Sequence, residues 1–204
     1  VSPIEHKCVL NSVDFWAEKN GLSVTVLEVD RAGYIDIEFL HSALQTPTLF
    51  CSIGYVNNEI GTIQELNKIS QILRDNGVIF HSDCAQAPKT LDCSDIAELT
   101  DLASFSAHKI GGPTGIGALV VADNVVLKPV LVGGGQEKGR RSGTENILGA
   151  IGFGKAAEVV IQNSGENKKV KNLRDLFETK LSQHFPRVNI LAQNVSRLGN
   201  TSAI

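Results

Sequence analysis

The amino-acid sequence predicts an α/β fold with a mostly parallel sheet and helices on both faces. Short, nearly continuous apolar runs occur at residues 48–56, 78–80 and 102–105, as is typical of strands buried on both faces. Segments with apolar residues at helical spacing separate these runs along the chain. Strands that alternate with helices in this way favour a parallel sheet.

Each element is predicted from its own pattern of residues. Helices are expected where apolar residues recur three or four positions apart, and they are ended or begun by capping residues such as Asp36 and Gly77. The predicted helices cover residues 9–16, 36–44, 64–76, 148–161 and 168–185. The predicted strands cover residues 23–29, 48–56, 78–83, 102–106 and 118–121, with a strand-like stretch at 188–191.

The pattern changes after Ile147, which indicates two units. We expect residues 1–147 to form a large sheet domain and residues 148–204 to form a connecting helix and the start of a small α+β domain. The chain begins at Val1 and contains no Met. We therefore expect it to be a piece of a longer protein, incomplete at both ends.

Composition excludes several classes of function. The net charge is −3 without a dense block of Lys or Arg, so neither nucleic acid nor an anionic membrane is expected as the main partner. No apolar run is long enough for a membrane-spanning helix. The cysteines Cys8, Cys51, Cys84 and Cys93 lack the C-x-x-C spacing of zinc or dithiol motifs, and we predict no metal site. Reduced thiols fit a cytoplasmic protein, with an organelle matrix as the alternative.

Polar residues follow the predicted strands where ligands bind in parallel α/β sheets. Lys109 follows one strand amid glycines and is either a Schiff-base amine or an exposed lysine. Asp83 ends another strand and is either the partner of a pyridinium nitrogen, as in pyridoxal phosphate (PLP) enzymes, or a helix N-cap. The glycine-rich stretches lack the G-x-x-x-x-G-K-[ST] and G-x-G-x-x-G patterns, which argues against nucleotide and dinucleotide sites.

Five ordered segments together resemble the cysteine desulfurases, which are class V, fold-type I PLP-dependent enzymes related to selenocysteine lyases. The segments are EHKCVLNSV, VNNEIGTIQ, HSDCAQ, SFSAHKIGGPTGIGAL and GGGQEKGRRSGTEN, and the resemblance runs from about Ile4 to the last residue. It implies the large domain of the PLP-dependent transferase fold. It also implies a homodimer that converts L-cysteine to L-alanine and passes the sulfur, through an enzyme persulfide, to an acceptor protein such as an iron–sulfur cluster scaffold.

The resemblance also implies a role for each matching residue. Lys109 would form the Schiff base with PLP and move protons at the substrate Cα, and His6 would stack on the pyridine ring. Asp83 would keep the pyridine nitrogen protonated. The other implied ligands are Asn58 and Gln86 near the phenolate oxygen and the substrate carboxylate, Ser106 and His108 at the phosphate, and Thr144 at the phosphate across the dimer interface. His81 is expected to be structural.

The sequence departs from the family at the sulfur-accepting position. The family's nucleophilic cysteine lies C-terminal to the RRSGT motif, but this chain has no Cys after Cys93. We expect that cysteine, and the arginine that binds the substrate carboxylate, to lie outside these residues, so this piece alone should not turn over cysteine by the family's route. A selenocysteine lyase, a cysteine sulfinate desulfinase and a non-catalytic scaffold fragment of the same fold stay open as alternatives.

Overall fold

The computed structural model describes residues 1–163 and 167–204. In this part of the chain a four-stranded sheet has the order β1-β2-β3-β4. Its strands are β1 (Phe50–Ser52), β2 (Ile79–Asp83), β3 (Leu102–Ser106) and β4 (Gly117–Val121). Neighbouring strands from β1 to β3 are parallel, which confirms the predicted mostly parallel sheet.

The fourth strand is the antiparallel member of this mostly parallel sheet. Strand β4 pairs antiparallel with β3, not parallel. The residues between the two strands form only the 3-10 helix Ala107–Ile110 and a glycine-rich turn. A parallel return needs a crossover of a dozen or more residues, usually a helix, so this short connection makes a hairpin instead.

All five predicted helices are present, with ends shifted by a few residues. Asp36 caps the second helix by accepting the Phe39 N–H at 2.9 Å, as predicted. Gly21 ends the first helix with a φ of +66°, a left-handed conformation that suits glycine. The helices are α1 (Lys7–Asn20), α2 (Ile37–Ala43), α3 (Leu66–Asp75), α4 (Ile96–Leu99), α5 (Ile147–Gln162) and α6 (Asn167–His184), of which the short α4 was not predicted.

Two predicted strands are wrong. Residues 23–29 make hydrogen bonds to Val1, with Leu27 N–H donating to the Val1 carbonyl at 2.9 Å, and one isolated bridge joins Val29 to Ile35. Residues 188–191 are joined to the C-terminal segment by the Leu191 N–H, which donates to the Ala203 carbonyl. Both segments have the alternating apolar pattern of a strand. A strand also needs a neighbouring strand with which it forms a continuous series of backbone hydrogen bonds, and these segments form only a few such bonds.

The core lies between α3 and the sheet. Leu66, Ile69 and Leu73 are almost fully buried, and they lie on one face of α3 because they are three and four residues apart. They belong to the same apolar cluster as Phe80 on β2 and Ile53, which directly follows β1, so α3 packs against this side of the sheet. Within the described residues, no helix is both long enough and apolar enough to cross a bilayer.

Leu73→Ala tests this assignment of the core. Leu73 is fully buried, so the substitution removes packed atoms and leaves a cavity. We expect the free energy of unfolding to fall by about 2–5 kcal/mol, measured by urea denaturation of the full-length protein. Glu18→Ala on α1 is the control, because Glu18 is an exposed polar residue and should change stability by less than about 0.5 kcal/mol. Equal effects of the two substitutions would contradict the assignment.

Candidate active site

A cavity of about 320 Å³ lies at the carboxyl ends of the three parallel strands. The residues that end or follow β1, β2 and β3 form its walls, and the segment that leads into α1 closes it. Ligands bind at this edge in open parallel sheets because the connecting loops diverge there. The cavity therefore lies where the sequence predicts a site.

Seven of the eight predicted site residues line this one cavity. They are His6, Asn58, Asp83, Gln86, Ser106, His108 and Lys109. The eighth, Thr144, is exposed and lies in the segment between the 3-10 helix Gln136–Gly139 and α5. The resemblance assigns Thr144 to the site of a second protomer, so a single chain does not test that prediction.

The end of β3 presents a hydroxyl, an imidazole and an amine within four residues. Ser106 is the last residue of the strand, and its Oγ lies 2.8 Å from His108 Nδ1. Lys109 follows in the 3-10 helix, and its side chain has no hydrogen bond or ion pair within residues 1–163 and 167–204. Gly111 ends this helix at a φ of +86°, which directs the chain away toward β4. This short turn leaves the amine free to bind a ligand.

The Asp83 carboxylate has one structural contact and faces the cavity. Its Oδ1 accepts the Ala85 N–H at 2.9 Å, which holds the turn after β2. An ionised carboxylate can accept about four hydrogen bonds, so this contact leaves capacity for a ligand. The local capping contact and a ligand contact are therefore compatible at Asp83.

His6 lies at the start of α1, where its ring is held by the first turn of the helix. Its Nδ1 accepts the Cys8 N–H at 3.3 Å and lies 3.0 Å from Cys8 Sγ. The ring is exposed on the cavity side of this contact. Burial, followed by the negative charge of Asp83, raises the pKa of the Cys8 thiol, which disfavours its thiolate.

The two asparagines after β1 have different functions. Asn57 is structural, since its Nδ2 donates to the Ile4 carbonyl at 2.9 Å and its Oδ1 accepts the N–H groups of Glu59 and Ile60. These contacts attach the loop to the segment that precedes His6. Asn58 is exposed and lines the cavity, so its amide is the one available to a ligand.

Sequence reasoning missed Glu5, a buried carboxyl group in the cavity wall. Glu5 is 9% exposed, and its Oε1 accepts the Gly54 N–H at 2.5 Å. Burial raises the pKa of Glu5 to about 7; the Gly54 hydrogen bond opposes this shift, and the nearby Asp83 adds to it. The available signal was its position directly before His6 in the EHK segment.

Ser104 was also missed, although the strand period places it. It precedes Ser106 by two residues on β3, so the two side chains lie on the same face, and both line the cavity. Among residues 1–163 and 167–204, His, Cys, Asp and Glu side chains form no group of three able to hold a metal ion.

The class-V aminotransferase family matches residues 1–202 of the sequence. The chain belongs to this family. It is 38% identical over 189 residues to the cysteine desulfurase IscS of Clostridium botulinum, covering 92% of this chain and 47% of that protein. It is 41% identical over 205 residues to cysteine desulfurase 2 of Trichormus variabilis, covering 98% of this chain and 50% of that protein.

Solved structures agree with these sequence relationships. A NifS-like protein from Rickettsia africae superposes with a TM-score of 0.90 at 37% identity, covering 98% of this chain and 55% of that one. A structure described as SspA in complex with cysteine matches with a TM-score of 0.70 at 40% identity, covering 77% of this chain and 46% of that one. The chain spans about half the length of the curated relatives it matches. The fold is therefore that of the NifS-like PLP-dependent enzymes.

Glu5→Gln tests the buried carboxyl group through its effect on stability. A pKa raised from 4.5 to about 7 stabilises the folded state fully below pH 4.5, and this stabilisation is lost as the pH rises to 7. The rise corresponds to about 3 kcal/mol. Glutamine keeps the acceptor for Gly54 and does not titrate, so its stability relative to wild type should increase by about that amount between pH 4.5 and pH 8.

The measurement is urea unfolding of the full-length protein at several pH values. Glu18→Gln on α1 is the control, because Glu18 is exposed and should show no such difference. Parallel pH profiles for wild type and Glu5→Gln would show that Glu5 ionises normally.

Proposed function

We propose that the protein containing this chain is a PLP-dependent cysteine desulfurase that converts L-cysteine to L-alanine and transfers the sulfur to a protein thiol. The observation that carries the proposal is the single cavity that gathers Lys109, Asp83 and His6 at the carboxyl ends of the parallel strands. The curated relatives that carry the name cysteine desulfurase, and the neighbouring structure described as a complex with cysteine, support it.

The donors in the cavity fit the chemistry of PLP. Class-V aminotransferases and cysteine desulfurases are PLP-dependent, and PLP carries an aldehyde, a pyridine nitrogen, a phenolate oxygen and a phosphate. Each of these groups has a counterpart here. The counterparts are the Lys109 amine, the Asp83 carboxylate, the amides of Gln86 and Asn58, and the Ser106 hydroxyl with His108.

Three side chains would act on the bound cofactor and the substrate. When bound, PLP supplies an electron sink that stabilises negative charge on the substrate α-carbon. Lys109, which has no carboxylate partner among the described residues, would remove and return the proton at that carbon. Asp83 would hold a proton at the pyridine nitrogen, and the ring of His6 would cover one face of the cofactor.

The sulfur-accepting thiol is proposed to lie outside these 204 residues. Burial raises the pKa of Cys51 to about 11 and that of Cys84 to about 12, so both remain neutral thiols at physiological pH. Both are also inaccessible to substrate. Cys93 is partly buried with a pKa raised to about 11, and Cys8 is exposed with a raised pKa. Sulfur transfer needs a thiolate, which none of these environments favours.

The proposed protein acts as a homodimer with a separate sulfur-acceptor protein. Thr144 lies in a segment with many exposed apolar side chains, a feature that favours a protein interface. These side chains include Val126, Val130, Val132, Leu148 and Ile151. Apposition of two such segments would cover them and bring Thr144 toward the partner's cavity.

Trapping of the cofactor tests the role of Lys109. Full-length protein is incubated with PLP, reduced with borohydride, digested and examined by peptide mass spectrometry. The added mass is expected on the peptide that contains Lys109, because that amine faces the cavity without a competing partner. Lys109→Ala should abolish this modification, and Lys128→Ala, which changes an exposed lysine, should retain it.

The same preparations test the substrate. Wild type with PLP is expected to release alanine from L-cysteine faster than from L-selenocysteine or L-cysteine sulfinate, and Lys109→Ala should release none. Modification that persists in Lys109→Ala would refute the lysine assignment. Preferential release from either other substrate would favour the lyase or desulfinase alternative.

A further inference from the structure

One nitrogen of the His6 ring is held by Cys8. His6 is the N-cap of α1, with an extended backbone just before the first helical turn. Its Nδ1 accepts the backbone N–H of Cys8 at 3.3 Å, and Cys8 Sγ lies 3.0 Å from the same nitrogen. N-caps usually make this contact through an oxygen of Ser, Thr, Asp or Asn, and here an imidazole nitrogen takes its place. Cys8 therefore contacts His6 through both its backbone and its side chain.

The capping contact determines which nitrogen of His6 carries the proton. A backbone N–H can only donate, so Nδ1 has to present its lone pair to Cys8. A neutral imidazole has one N–H donor and one acceptor nitrogen, and its proton therefore lies on Nε2. The imidazolium and the other neutral tautomer would each place a proton on Nδ1, directly opposite the Cys8 N–H. The contact selects the Nε2–H tautomer.

The Cys8 thiol is a second donor to the same nitrogen. Because Nδ1 carries no proton, the contact at 3.0 Å uses the proton of the thiol, and the S–H donates to Nδ1. Burial, followed by the negative charge of Asp83, raises the pKa of this thiol, so the proton stays on sulfur at neutral pH. Two donors from one residue therefore favour one tautomer.

The other nitrogen of His6 is left for the cavity. Within residues 1–163 and 167–204, Nε2 of His6 has no hydrogen-bond partner. His6 and Cys8 both line the cavity, and both are exposed. A neutral histidine with its proton on one fixed nitrogen can act as a hydrogen-bond donor to a substrate, a role found at helix N-termini in other enzymes.

We propose that Cys8 is a positioning residue that keeps the proton of His6 on Nε2, so that His6 meets a ligand in the cavity as a hydrogen-bond donor. Cys8 acts through His6 and uses its backbone N–H and its thiol as the two contacts. The ligand group that fits this donor carries a lone pair or a negative charge, as the carboxylate or sulfur of an amino acid does. That this ligand is a cysteine substrate rests on the proposed function, whereas the tautomer depends only on residues of this chain.

This role differs from that of a nucleophilic cysteine. A nucleophilic thiol paired with histidine gives its proton to the ring. Here that proton would have to lie on Nδ1, which already accepts the Cys8 N–H. The arrangement therefore maintains a thiol and not a thiolate, which agrees with a sulfur-accepting cysteine outside these 204 residues.

The test is the tautomer of His6, read by long-range ¹H–¹⁵N NMR of histidine-labelled full-length protein without added cofactor. Spectra are recorded at pH 8, where an ordinary histidine is neutral, and the His6 signals are assigned by their loss in His6→Gln. In wild type the ring proton is expected on Nε2. A proton on Nδ1 in wild type would overturn the proposal.

Cys8→Ala separates the thiol from the backbone contact. It removes the S–H and keeps the N–H, and alanine is a favourable helix residue at this exposed position. We expect the ratio of the Nε2–H to the Nδ1–H tautomer to fall about two- to tenfold, which corresponds to the loss of one ordinary hydrogen bond. Cys8→Val removes the same donor and serves if Cys8→Ala does not fold.

Two variants are controls for this change. Cys8→Ser should keep the wild-type ratio, because its hydroxyl can donate in the same way. Ser12→Ala, on the exposed part of α1, should also leave the ratio unchanged. A wild-type ratio in Cys8→Ala, or an equal fall in Cys8→Ala and Cys8→Ser, would show that the thiol does not position His6.

Addition of PLP tests the direction in which the donor faces. The Nε2 signal of wild-type His6 is expected to shift when PLP is added, with the proton still on Nε2. An unchanged signal in protein whose Lys109 is modified by borohydride trapping, or movement of the proton to Nδ1, would overturn the proposal. Trapping at Lys109 does not depend on the tautomer of His6, so failure of this inference and failure of the proposed function are distinguishable.

Discussion

The parallel register of β1, β2 and β3 is the constraint on which the site depends. Because these strands run in one direction, the residues that follow each of them reach the same edge of the sheet. Asp83 comes from β2, Ser106 and Lys109 come from the end of β3, and Asn58 comes from the loop after β1. A slip of one residue in any strand would turn its side chains to the opposite face of the sheet. The residues that now line one cavity would then no longer lie together.

Hydrogen bonds between polar side chains of the three strands support this register. Ser52 is buried and His81 and Ser104 are half-buried, and the hydrogen bonds from His81 to the two serines join the three parallel strands in the observed alignment. Glu5 adds a second connection, since its contact with Gly54 fastens the segment before α1 to the end of β1. That segment carries His6, so one buried carboxyl group orders this wall of the cavity.

A buried ion pair holds the C-terminal part of the chain. Arg197 pairs with Glu178 of α6 through both of its terminal nitrogens, and Ser202 donates to the same carboxylate. Both charged side chains are almost fully buried. Breaking such a pair leaves an uncompensated charge, so the pair holds the segment after α6 in one position. The loop around Gly61 contacts this segment, with Leu198 N–H donating to the Gly61 carbonyl.

The sequence carried enough information to predict five of the six α-helices and the ends of β2 and β3, because both depend on local periodicity and capping. Strand β1 (Phe50–Ser52) is shorter than the predicted strand at residues 48–56. Lys109 and Asp83 could be predicted as neighbours for the same reason, since Asp83 ends β2 and Lys109 lies shortly after the end of β3. The direction of β4 and the lack of a continuous hydrogen-bond ladder along residues 23–29 depend on tertiary pairing rather than on local periodicity. Glu5 and Ser104 were missed because their significance arises only when three strands and the start of α1 come together. Thr144 stays a prediction because its proposed ligand belongs to a second protomer.

A crystal structure of the full-length protein grown with PLP tests most directly whether this cavity is the cofactor site. The account predicts cofactor density continuous with Lys109 Nζ, the pyridine nitrogen within hydrogen-bond distance of the Asp83 carboxylate, and the phosphate beside Ser106 and His108. Cofactor density at another place, or in this cavity with the pyridine nitrogen directed away from Asp83, would contradict it.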